Sequence, residues 1–152
     1  MSSEPAELEL QPNAKWRFYS DEGSGFAAAA GGIVLISLKN RAATNTTAAL
    51  YLTLSQKIKM KYGPNITAGT YGFVGRMEEG ETRGGLLLGL EQPLHRKVMF
   101  VADWFSGNNA FGYGSAGLGI TLPKDSYLYA GYSFGNRGRG NNYLGIFFGR
   151  TF

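Results

Sequence analysis

The chain has 152 residues, enough for a single domain, with 23 glycines, 14% aromatics, 17% charged residues and no cysteine. Such a composition argues against a helical protein, and the missing thiols exclude disulfides and thiolate metal sites. The net charge of +4 comes from 15 Lys and Arg spread along the chain, which argues against a nucleic-acid-binding stripe, and no run of about 18 apolar residues offers a transmembrane helix.

Residues 1–12 read as a polar N-terminal segment and residues 13–152 as one β domain. Met1 to Leu10 carries Glu4, Glu7 and Glu9 and lacks the basic start and apolar run of an export leader. Nine strands are predicted in chain order, at 13–20, 25–38, 45–57, 64–76, 82–93, 97–106, 110–122, 126–136 and 141–152, separated by turn-forming residues. In the second, the pair Gly31-Gly32 predicts a bulge that shifts the apolar parity. Tyr62-Gly63-Pro64-Asn65, Gln92-Pro93-Leu94-His95 and Pro123-Lys124-Asp125 read as tight turns. Asn40 to Thr46, Met77 to Thr82, Ser106 to Asn109 and Gly135 to Asn142 read as looser polar loops, so the connections alternate as in an up-and-down meander.

From about Asn45 to Phe152 the apolar residues favour even positions, the period of a strand whose side chains alternate between faces. Leu86, Leu88 and Leu90 share one face, with Arg83, Gly85, Gly89 and Glu91 on the other. The odd set also carries large rings, Tyr51, Tyr71, Phe73, Tyr113, Tyr129 and Phe147 among them, interspersed with glycines. A soluble antiparallel sheet buries one face and wets the other, so two apolar faces need another explanation. An even face toward lipid and an odd face toward a narrow interior, rings lying over glycines, supplies it. Trp16, Phe26, Trp104, Tyr132 and Phe152, near strand ends, are then expected as a membrane-interface girdle.

The last strand, Asn142-Tyr143-Leu144-Gly145-Ile146-Phe147-Phe148-Gly149-Arg150-Thr151-Phe152, places Leu144, Ile146, Phe148 and Phe152 on one face. It resembles the closing strand of Gram-negative outer-membrane β-barrel proteins, departing from their pattern at Arg150. Leu90-Glu91-Gln92-Pro93, Ala102 to Asn109 and Tyr129-Ala130-Gly131-Tyr132-Ser133 are similar to segments of small envelope barrels. The resemblance implies a closed, antiparallel, up-and-down transmembrane β-barrel of about 8–10 strands, porin-like in character and located in the bacterial outer membrane, although this chain shows no export signal, so either a leader was removed or the protein is not exported. It also implies that Leu144, Ile146, Phe148 and Phe152 serve as the signal read by the barrel-assembly machinery. Single-chain bacterial barrels normally have an even number of strands, so an odd count leads to two expectations: eight true strands, or further strands preceding this chain in a longer barrel.

Arg83, Glu91, Lys97 and Asp103 share inward parity on two consecutive strands and are expected to meet as a lumenal charge network, a possible gate in a small pore. His95, the only histidine, falls in a predicted turn and suits a surface position better than a catalytic base. Gly112-Tyr113-Gly114-Ser115-Ala116-Gly117 matches a dinucleotide fingerprint but leads into a strand where that motif needs a helix. Glu78-Glu79-Gly80-Glu81 and Arg137-Gly138-Arg139-Gly140 read as solvated rim loops, the arginines suited to lipopolysaccharide phosphates. The expected function is therefore a structural or small-pore envelope barrel in contact with the lipid bilayer, with no catalytic site, cofactor, metal or nucleic-acid partner, and the pattern assigns no oligomeric state. The alternative is a soluble lipocalin-like barrel that binds a hydrophobic ligand among Phe73, Leu87, Met99, Val101 and Phe147.

Overall fold

Alternation in the sequence becomes an antiparallel meander. A computed structural model describes residues 9–10, 12–37, 47–75, 77, 79–124, 126–136 and 142–150. The strands are β1 (Glu9–Leu10), β2 (Asn13–Asp21), β3 (Phe26–Ser37), β4 (Thr47–Lys57), β5 (Asn65–Val74), β6 (Gly84–His95), β7 (Val98–Phe105), β8 (Tyr113–Leu122), β9 (Ser126–Gly135) and β10 (Tyr143–Arg150). β1 and β2 lie in line along the same edge of β3, Leu10 opposite Ile36 and Asn13 opposite Ile33, so the sheet is nine strands wide. All nine predicted strands are present with only their ends shifted, and the described residues contain no α-helix.

The predicted parity holds across the sheet, because every rung from β3 to β10 pairs even with even and odd with odd until the bulge at the end of β6. Cross-strand partners share a face, so the even residues form one continuous outer surface. On it Leu50 is 56% exposed, and Leu144, Ile146 and Phe148 are 73%, 68% and 67% exposed. Leu52, Leu54, Ile66, Val74, Leu86, Leu88, Leu118, Ile120 and Phe134 are exposed there too. The buried apolar core is small by contrast: Leu35, Ala49, Tyr71, Phe73 and Leu87 on the inner face, with Ile33, Tyr51, Met77, Phe105 and Phe111 packed against them.

The sheet is strongly staggered. A rung that begins at Phe26, the first residue of β3, passes through Gln56, Ile66, Leu90, Ala102, Ala116 and Tyr132 and ends at Leu144, near the opposite end of β10. Strands tilted in this way curl a sheet about its axis. Curling brings Ile33 of β3 to the same cavity as Tyr143 and Phe147 of β10. The curl stops short of closure: among the described residues β2 pairs only with β3, and β10 only with β9. The expected closed cylinder is thus an open, curled sheet.

Three local expectations are corrected. No bulge occurs at Gly31-Gly32, which pair regularly with Tyr51 and Leu50; the irregularity lies on β2 between Arg17 and Tyr19, where Phe18 is the extra residue. Gln92 to His95 is strand, not turn: Pro93 pairs with Met99, a bulge follows before His95, and the turn is Arg96-Lys97. A proline lacks the N–H that a regular ladder needs, so it fits beside a bulge. Finally, the N-terminal polar segment contributes β1, so the sheet does not begin at residue 13.

β2 meets β3, β4 meets β5, β6 meets β7 and β8 meets β9 at one end of the sheet, the turn end; the strand ends flanking the β3–β4, β5–β6, β7–β8 and β9–β10 connections share the other, the loop end. Two of the latter, expected to be loose, are tied together, as described next.

Candidate functional site

Three zones of the inner face combine polar groups with packed rings or a cavity. At the loop end, Asn109 is wholly buried. Its Nδ2 donates to the Tyr71 hydroxyl at 2.9 Å and to the Thr82 carbonyl at 3.0 Å, while its Oδ1 accepts the Phe111 backbone N–H at 3.0 Å. The Tyr71 hydroxyl in turn donates to the Ser106 carbonyl. Thr82 and Asn108 exchange backbone and hydroxyl bonds at 3.0 and 2.9 Å, so the loops 75–83 and 106–112 are bolted together. Beneath them Tyr71, Phe73, Phe105 and Phe111 pack in tilted and edge-to-face pairs with centroid spacings of 5.0–5.8 Å. A hydrogen-bonded polar lock, buried at Asn109 and exposed at Thr82 and Asn108, thus covers the packed rings.

Beside this plug lies an aromatic cavity of about 240 Å³, lined by Ile33, Asp103, Phe105, Phe111, Tyr113, Ser115, Tyr129, Gly131, Ser133, Tyr143 and Phe147. Tyr129 lies over Gly117 and Gly131 so closely that a Cβ at either position would collide with its ring. Asp103 accepts a hydrogen bond from the Ser115 hydroxyl at 2.7 Å. The Tyr129 hydroxyl is buried with no hydrogen-bond partner.

The turn end is different in kind. A cavity of about 520 Å³ is lined there by Lys15, Arg17, Ser20, Asp21, Glu22, Ser55, Lys57, Lys59, Asn65, Thr67 and Glu91 among others. Lys57 Nζ donates to the Gly63 carbonyl at 2.8 Å and Asn65 Nδ2 to Glu91 at 3.0 Å. Asp21 holds the 22–25 turn by accepting the N–H groups of Gly23 and Ser24 at 2.8 and 3.1 Å.

The expected charge network does not form. Arg83 sits in the loop before β6 and reaches the Gly75 carbonyl, Glu91 meets Asn65, Asp103 meets Ser115, and Lys97 is exposed in the β6–β7 turn; among the described residues no ion pair joins any two of the four. Parity placed the strand residues among them on the right face but not at one height: Arg83 and Lys97 stand at opposite ends of β6, which at about 3.3 Å per residue separates them far beyond ionic contact. The residues expected to line a single ligand cavity also part company. Phe73 and Leu87 belong to the packed core and only Phe147 lines the aromatic cavity, with Met99 and Val101 half-buried elsewhere on the inner face.

Of the expected girdle, Trp104 lies near the loop end of β7 and donates its indole N–H to Asn136 at 3.0 Å. Tyr132 is exposed near the loop end of β9, Phe26 is half-buried at the turn end of β3, and Trp16 is exposed well inside β2. Leu144, Ile146 and Phe148 point outward together, whereas Phe152 lies outside the described residues, as do Glu78 and Arg137 to Gly140. His95 is exposed at the end of β6, and Gly112 to Gly117 runs into β8 rather than a helix, so no dinucleotide turn is present. Sequence reasoning missed Asn109, Thr82 and the hydroxyl of Tyr129. Asn109 is one polar residue in a polar run, and nothing in its neighbours marks it as buried. No protein-family model, curated protein or solved structure matches this chain.

Proposed function

We propose that this chain is a structural or small-pore β-barrel protein of the bacterial outer membrane, with a narrow lumen plugged at the loop end and no catalytic role. One observation carries the reading: large apolar side chains cover the outer surface on β4 to β10, while the inner face supplies only a small core. Soluble monomers rarely leave so continuous an apolar surface in water, and acyl chains are the solvent that matches it. The stagger of the strands supports the same reading, because a closed barrel requires tilted strands. On this reading the acyl chains of the bilayer contact the even face, and the outward row Leu144, Ile146 and Phe148 is what the barrel-assembly machinery meets. Lipopolysaccharide is a further proposed contact at the rim.

A soluble, ligand-binding barrel is the second reading, favoured by the aromatic cavity and opposed by the outer face. Electrophoresis after refolding in detergent separates the two. The proposed barrel migrates faster unheated than boiled, and it sediments with vesicles. A chain that stays monodisperse in detergent-free buffer overturns the membrane assignment.

A further inference from the structure

We infer that the aromatic cavity is a binding site for a small organic cation of the trimethylammonium kind. Among the described residues Asp103 is the only charged one in its lining, and its one described partner is the uncharged Ser115 hydroxyl. A half-buried carboxylate beside apolar walls attracts a positive charge. Among the described residues no Lys or Arg lines the cavity, and on this proposal the compensating charge is the ligand's. The walls select its type. Phe105, Phe111, Tyr129, Tyr143 and Phe147 present π-systems, two of them, Tyr129 and Phe147, only 6.0 Å apart and tilted by 38°. Ring faces attract weakly hydrated cations, quaternary ammonium groups above all, whereas a metal ion would want more oxygen ligands than one carboxylate and a few hydroxyls offer.

Two further features define the ligand. At about 240 Å³ the cavity is smaller than the usual range for drug-sized ligands, so the occupant has few heavy atoms. The buried, partnerless Tyr129 hydroxyl then serves a polar atom on that occupant, such as a hydroxyl a short tether away from the cation. The site belongs to the inner face and stands whatever solvent bathes the outer one.

Calorimetric titration of the full chain in non-ionic micelles tests this, with choline against its neutral isostere 3,3-dimethylbutan-1-ol and with micelles alone as the blank. Choline binds and the alcohol binds about tenfold more weakly. Asp103→Asn, which keeps an acceptor for Ser115, weakens choline about tenfold and leaves the alcohol unchanged; Tyr129→Phe weakens both a few-fold. Absence of choline binding at millimolar concentration, or equal affinity for the two isosteres, overturns the proposal on the unaltered protein, even if a variant fails to fold. An Asp103→Asn chain that folds and binds choline undiminished overturns it as well.

Discussion

The two ends of the inner face solve the same problem in opposite ways. At the loop end, two connections interlock through exposed Thr82 and Asn108 and wholly buried Asn109, above a cluster of packed rings. At the turn end, Lys15, Arg17, Lys57, Asp21 and Glu91 surround a cavity more than twice as large as the aromatic one, about 520 against 240 Å³. Packing closes a lumen; charge keeps one hydrated. On the proposed reading, a solute would enter from the turn end, and the loop end would decide whether it passes.

The same substitution at the two ends gives the sharpest contrast. Asn109→Ala removes a buried side chain that satisfies three polar groups, and it should cost about 2–4 kcal/mol, read as a lower urea midpoint. In planar bilayers the same variant should show flickering current where the unaltered chain is quiet. Tyr71→Phe keeps the stacked ring and deletes only the hydroxyl, so about 1–2 kcal/mol is expected, by the same denaturation. Asn65→Ala, at the turn end, loses one exposed bond to Glu91, and less than about 0.5 kcal/mol is expected. A cost at Asn65 equal to that at Asn109 would erase the distinction between the ends. The smallest effect has the opposite sign. Lys124 occupies the left-handed region at φ 60°, so Lys124→Gly should stabilise by a few tenths of a kcal/mol, about 0.5 at most, visible as a small rise in Tm.

Much of this architecture is written in the chain because a period of two is a local signal. Leu50, Leu52 and Leu54 alternate with Tyr51 and Thr53, and no tertiary information is needed to see two faces there. What that signal omits is height. Glu91 and Lys97 have the same parity, yet one lines the turn-end cavity while the other sits in the turn beyond a bulge that the sequence marks only by Pro93. The plug is illegible for a related reason: Asn109 is buried by two loops meeting across the sheet, and loop encounters leave no periodicity. Tyr129 shows the intermediate case. Its ring over glycine was expected, but the isolation of its hydroxyl follows from neighbours on other strands.

The width of the meander has its own consequence. Successive antiparallel steps reverse direction, so after the eight that separate them β2 and β10 run the same way. Should these two edges ever zip together directly, the junction would be a single parallel seam, with slanted, evenly spaced bonds, in a wall otherwise woven antiparallel. That seam would be the weakest line in the cylinder, and the natural place for it to breathe.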